Sequence, residues 1–159
     1  MKVLYIDMDN TIAENKTCQN VEFTSGLYLS KRPIQVVIDA INTLYEDVPK
    51  VIVTKVQGGE EGIKEKRMWL EKYAPFPIED IIFVQGDYYM KGVLIDQYNS
   101  RRNIPNEETL LVDDSKQVLR YCSAYNIQTK YPQQLICDYE QVLQMKLGKS
   151  KYKKKSNDK

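Results

Sequence analysis

Apolar residues in this chain fall into two patterns, short continuous runs and longer stretches at helical spacing. The runs are Val3-Leu4-Tyr5-Ile6, Val51-Ile52-Val53, Ile81-Ile82-Phe83-Val84 and Leu110-Leu111-Val112. Runs without polar alternation predict strands buried on both faces, as in a parallel sheet. They place strands at 2–7, 50–54, 81–84 and 109–113, with a short fifth at 126–129. Val36, Val37, Ala40, Ile41 and Leu44 recur at helical spacing behind Pro33, a residue that suits a first helical turn. Further helices are predicted over 61–73 and 92–102, from a Ser115 cap to about Ala124, and over 133–147. Trp69 falls on the second of these and reads as core. Between 8 and 32 the pattern suggests a turn and a small hairpin, with arms Val21-Glu22-Phe23-Thr24 and Gly26-Leu27-Tyr28-Leu29. Alternating β and α elements predict one three-layer α/β/α sandwich around a central parallel sheet.

Polar residues then stand where strands end. Asp7-Met8-Asp9-Asn10-Thr11 follows the first run, Thr54 the second and Asp113-Asp114-Ser115 the fourth. Lys91-Gly92 opens the helix before that last strand. Ligands in open α/β sheets bind beyond the carboxyl ends of strands. Alternate residues of extended chain point the same way, so Asp7 and Asp9 converge. Two close carboxylates repel unless a cation or a shared proton relieves them, which implies a metal and a phosphate.

The ordered set Asp7-x-Asp9-x-Thr11, Thr54, Lys91, Asp113-Asp114 resembles the four motifs of haloacid dehalogenase (HAD) superfamily phosphatases. The likeness runs from the start of the chain to about Tyr125. It implies a HAD-like Rossmannoid fold and a magnesium-dependent hydrolase of phosphate monoesters. By that resemblance Asp7 is the nucleophile, forming an aspartyl-phosphate, and Asp9 is the acid and then the base. Asp9 should therefore have a raised pKa. By the same resemblance magnesium would be held by Asp7, the Asp9 backbone carbonyl and Asp114 directly, with Asp113 in the outer sphere, although the residues alone leave Asp113 and Asp114 interchangeable. Thr54 and Lys91 would contact the phosphoryl group, along with Asn10 and Thr11. Lys55, Lys64 and Lys66 are the competing choices for the phosphate lysine. Asn10 stands where glycine is frequent in the family, and Asn tolerates left-handed backbone. A receiver domain of a phosphorelay shares the residue types, but its acidic pair comes first and its lysine last, the reverse of this order.

Composition narrows the chemistry. The 159 residues suit one domain, expected over 1–147 with a flap or minimal cap at about 12–32. There is no histidine, which excludes histidine bases, histidine zinc ligands and the Ser-His-Asp triad. A cysteine phosphatase would want an arginine six residues after its nucleophile, but Gln128 follows Cys122 and Thr24 follows Cys18. Cys18, Cys122 and Cys137 read as three reduced structural thiols. Residues 146–159 hold seven Lys and one Asp, so the basic segment at 148–159 is expected to be a disordered, solvated tail on an acidic body. Gly58-Gly59-Glu60-Glu61-Gly62 lacks the Gly-Lys-Ser/Thr ending of a P-loop, and its glutamates suit a helix N-terminus.

No apolar stretch is long enough to span a bilayer, and the N-terminus runs straight into strand and motif without a signal peptide. A cytoplasmic location is expected. The flap at 12–32 and the short segment 85–91 leave no room for a large cap. An open site, or one closed by another subunit of an oligomer, suits a bulky substrate such as a nucleic-acid end or a phosphoprotein. Against this, Lys66-Arg67-Met68-Trp69-Leu70-Glu71-Lys72-Tyr73 and Ile81-Ile82-Phe83 are similar to a segment of the 5′(3′)-deoxyribonucleotidase branch, which implies a small nucleotide. A catalytically silent binding module is the remaining alternative, and loss of Asp7 or the lysine would mark it.

Overall fold

The computed structural model describes residues 1–15 and 22–156. Five parallel strands form its sheet: β1 (Val3–Ile6), β2 (Lys50–Lys55), β3 (Asp80–Val84), β4 (Thr109–Val112) and β5 (Gln128–Lys130). Their spatial order is β3-β2-β1-β4-β5. The helices are α1 (Gln35–Leu44), α2 (Gly59–Tyr73), α3 (Met90–Arg101), α4 (Lys116–Ser123) and α5 (Pro132–Ser156). A single 3₁₀ turn, Asn106–Glu108, leads into β4. This is the expected three-layer sandwich.

Strand residues alternate between two cores because successive side chains of a strand face opposite ways. Leu4, Ile6, Ile52, Leu110 and Val112 meet α1, α2 and α5 through Val37, Ile38, Ile41, Trp69, Leu70 and Leu135. Val3, Tyr5, Val51, Val53 and Leu111 meet α3 and α4 through Ile95, Tyr98, Val118, Leu119 and Cys122. Both faces are covered, which is why the strands read as continuous apolar runs. Tyr5 is fully buried, and its hydroxyl donates to Asn99 Oδ1 at 2.5 Å. Gly92 allows α3 to approach α4, since a Cβ there would lie 3.0 Å from the Tyr125 ring. Ser115 caps α4 as expected, its hydroxyl accepting the Val118 N–H.

Chain order reverses at β1, with β2 on one side and β4 on the other. The crevice at this switch lies between the carboxyl ends of β1 and β4. Asp7 continues β1 by donating its N–H to the Val112 carbonyl at 2.9 Å.

Two expected elements differ. The hairpin does not form among the described residues: 25–30 are a run of turns, and Val21 lies outside the described residues. Glu65 of α2 takes the Gly26 and Tyr28 N–H groups at 2.5 and 2.9 Å, so they cannot enter a ladder. Phe23 packs on Gly58, whose left-handed φ of 78° and missing Cβ leave room for its ring. The segment is thus a strap laid on α2. The second difference is the basic segment. Instead of ending near 147, α5 continues through Ser156. Lysine is a good helix former, and a polar extension needs no core to continue an established helix.

Candidate active site

A tight turn follows β1 and carries Asp9 away from the end of the strand. The Met8 carbonyl accepts the N–H groups of Ile12 and Ala13 at 3.0 and 2.9 Å, and Asn10 N–H donates to the Ala13 carbonyl at 2.8 Å. Asn10 adopts the left-handed φ of 60° that the turn requires. Its side-chain oxygen accepts the Asn15 N–H at 3.1 Å. Both of these groups serve the turn. Thr11 is fully buried, and its hydroxyl donates to Asp7 Oδ2 at 3.1 Å. It orients Asp7 rather than reaching outward.

Lys91 enters from the first turn of α3. Its Nζ donates to Asp7 Oδ1 and to Asp113 Oδ2, both at 2.6 Å, with its side chain 4% exposed. Burial alone would lower the Lys91 pKa, but Asp7 and Asp113 reverse this and raise it, so it stays protonated. Asp113 spends its other oxygen, Oδ1, on the Ser115 N–H at 2.8 Å. Asp7, Asp113 and Asp114 each offer a carboxylate oxygen within 4.8 Å of the others. Burial pushes Asp7 and Asp113 upward, against the pull of Lys91. Burial and then the Asp7 charge push Asp114 up to about 6. One ammonium does not neutralise three carboxylates, so the cluster retains a negative surplus suited to a divalent cation.

Asp9 stands apart from that cluster. Its Oδ2 accepts Lys66 Nζ at 2.6 Å, and its Oδ1 accepts Lys31 Nζ. The expected raised pKa is therefore corrected: burial would raise it, but Lys66 and Lys31 together outweigh burial and hold the carboxyl below its usual range. Of the metal ligands expected, Asp9 has only its backbone carbonyl to offer.

Thr54 at the end of β2 is fully buried, and its Oγ1 accepts Lys66 Nζ at 2.7 Å. Lys66 itself is fully buried, and burial lowers its pKa against the support of Asp9. Of the two rival lysines, Lys91 contacts Asp7 and Lys66 contacts Asp9. The signal for Lys66 was a lysine in the stripe Lys66, Trp69, Leu70, Tyr73, whose helical spacing places it on a buried face. Lys31 carried no such signal, because its place depends on the strap. Trp69 is core as expected, 1% exposed, with Nε1 donating to the Lys31 carbonyl at 2.8 Å. Cys122 is buried and Cys137 exposed, both free thiols; Cys18 lies outside the described residues. Burial pushes the Cys122 thiol up to about 12, which makes it inert.

No family model matches the chain, and no curated protein matches it. Solved structures do. The D,D-heptose 1,7-bisphosphate phosphatase of B. bronchiseptica, crystallised with magnesium and phosphate, superposes with a TM-score of 0.65 at 15% identity, covering 91% of this chain and 99% of its own. The corresponding phosphatase of Burkholderia thailandensis gives 0.60 at 16% identity, over 90% and 99%. A HAD-family enzyme of Bacteroides thetaiotaomicron, in complex with magnesium and inorganic phosphate, gives 0.55 at 13% identity, over 82% and 93%. The chain has the α/β fold of these HAD-family enzymes. Among its described residues no helix is long and apolar enough to cross a membrane.

Proposed function

We propose that this chain is a magnesium-dependent phosphomonoester hydrolase working through an aspartyl-phosphate on Asp7. The observation that carries the reading is Lys91, which bridges Asp7 and Asp113 at 2.6 Å from each across the switch point of the sheet. A buried aspartate fixed by Thr11 on one oxygen and Lys91 on the other is a positioned nucleophile. The magnesium and phosphate complexes of the fold's relatives add support.

The donor set fits magnesium, since it consists of hard oxygens carrying more negative charge than Lys91 neutralises. Asp7, Asp114 and the Asp9 carbonyl would hold the ion. Asp113, which meets Lys91 and the Ser115 N–H, would be the outer-sphere member of the pair, as the family resemblance implies. The bound ion supplies charge screening between the phosphoryl group and Asp7.

An Asp7 oxygen attacks phosphorus while the bond to the leaving oxygen breaks. Asp9 gives that oxygen a proton, and the alcohol departs. Water then attacks the aspartyl-phosphate, Asp9 takes its proton, and free phosphate and the Asp7 carboxylate are regenerated. The resting Asp9 is ionised, which suits its role as base. Its role as acid requires a proton gained with the substrate, as phosphoryl oxygens draw the Lys66 ammonium toward themselves beside Thr54. Thr54, Lys66 and Lys91 balance the charge that develops on the phosphoryl oxygens.

The substrate is a small phosphorylated molecule, and the α2 segment similar to the deoxyribonucleotidase branch favours a nucleotide. A second reading, a bulky substrate such as a nucleic-acid end or a phosphoprotein, is favoured by the shortness of the segment between the first motif and α1, about 12–32. A cytoplasmic location suits the free Cys122 and Cys137. The test is phosphate release with magnesium from deoxynucleotides, sugar phosphates, a 3′-phosphorylated oligonucleotide and a phosphopeptide. Turnover lost in Asp7→Asn supports the mechanism. Silence across the panel, with magnesium bound, would turn the assignment toward a binding module.

A further inference from the structure

Asp9 receives two ammonium groups, and the reaction above employs one of them. Lys66 lies beside Thr54 and so faces the transferring phosphoryl group. Lys31 reaches the opposite oxygen of Asp9 from the strap. Its position is built by the fold. The Lys31 carbonyl accepts from Trp69 Nε1 at 2.8 Å, Glu65 binds the Gly26 and Tyr28 N–H groups, and the Tyr28 hydroxyl accepts the Gln57 N–H at 2.9 Å. The Tyr28 ring faces both ammoniums, at 5.1 Å from Lys31 and 4.5 Å from Lys66. The Lys31 side chain is 8% exposed, against 25% for Asp9.

Charge divides the site into two unequal halves. Asp7, Asp113 and Asp114 share Lys91, a negative surplus that a divalent cation answers. Asp9 is shared by Lys31 and Lys66, a positive surplus. Lys66 is directed to the phosphoryl group, and once Asp9 holds the proton of its acid step the Lys31 ammonium is left without a counter-charge. Asp9 is the group that meets the leaving oxygen, so Lys31 stands on the side where the leaving group departs. The strap has already restricted this lysine, so an anion that binds it meets a desolvated, pre-positioned cation.

We propose that Lys31 is a specificity-determining residue that receives a second anionic group on the leaving portion of the substrate, close to the ester oxygen. A carboxylate, a second phosphate or a phosphodiester would serve. The inference rests on the hydrolase reading and narrows its substrate class.

The experiment compares paired esters that differ by one negative charge. One pair is 2-phosphoglycerate against β-glycerophosphate. The other is a 3′-phosphorylated dinucleotide against a 3′-phosphorylated nucleoside. The intact chain should favour the charged member of at least one pair by roughly tenfold in kcat/KM, the scale of one charge-assisted hydrogen bond. Lys31→Met should bring that ratio to about one, and Lys31→Arg should keep it. The pair that responds separates a small-molecule anion from a nucleic-acid end. Ratios unchanged by Lys31→Met in both pairs overturn the inference. Lys31→Met can also loosen the strap, so calorimetry of the same pairs on Asp7→Asn, with Lys31 intact, gives an independent reading. Equal affinities within both pairs there overturn the inference without any Lys31 variant. A chain that hydrolyses nothing, yet binds the charged member tighter, overturns the hydrolase reading and upholds the anion site.

Discussion

Lys66 Nζ lies 2.6 Å from Asp9 Oδ2, joining the middle of α2 to the turn after β1 across 57 residues of sequence. Lys91 does the same for Asp7 from α3. Each aspartate of the pair is thus held by a lysine from a different helix, on either side of the sheet's central strand. The two carboxylates are thereby set apart: burial raises Asp7 against the pull of its one shared lysine, whereas Lys66 and Lys31 together outweigh burial and lower Asp9.

Removing the Lys66 charge should be costly. Lys66→Met leaves the buried Thr54 hydroxyl and one oxygen of the partly exposed Asp9 without their lysine donor, although Lys31 still neutralises Asp9. We expect a loss of roughly 1–3 kcal/mol, the cost of unsatisfied buried polar groups. Urea unfolding checks this, and an unchanged midpoint would contradict the contact.

Asp7→Asn should separate activity from stability. Turnover should fall by roughly 10³-fold or more, as for loss of a nucleophile. The metal-free variant should melt no lower than the parent at pH 8, because a neutral amide removes the cost of burying a charge there and its repulsion with Asp113. A variant that melts well below the parent would show that the Lys91–Asp7 pair outweighs that repulsion.

Magnesium binding should weaken as pH falls through about 6, where Asp114 takes up its proton. The sign follows from linkage. A carboxyl whose folded pKa exceeds its unfolded value binds more protons when folded, so the metal-free chain gains stability as pH falls through that window. Bound magnesium excludes the proton and should reverse the trend. Calorimetric titration at pH 5 and pH 7.5 checks it, and equal affinities would remove Asp114 from the ligand set.

Gly58→Ala should release the strap. The left-handed backbone disfavours a side chain, and the added carbon would overlap the Phe23 ring. A stability loss of about 1–2 kcal/mol is expected. Limited proteolysis should cut the 22–34 segment sooner than in the parent, and equal cleavage rates would argue that the packing of Phe23 on Gly58 is dispensable.

Much of the architecture was legible along the chain because its causes are local. Continuous apolar runs produce doubly covered strands, Ser115 caps its helix, and Asn10 accepts the turn that follows Asp7. The strap was misread because the alternation around Phe23 and Tyr28 matches a strand. Its N–H groups instead belong to Glu65, some 40 residues away. The acidity of Asp9 was misjudged for the same reason, since both its partners come from distant segments.

By itself the sequence determined the strands, the helices and the polar residues that end each strand, because period and composition act between near neighbours. Tertiary structure alone decided how the charges pair: Lys91 with Asp7 and Asp113, Lys66 and Lys31 with Asp9. Ion pairing depends on distance and burial in space, and neither is set until the sheet reverses at β1 and the helices and strap close over its edge.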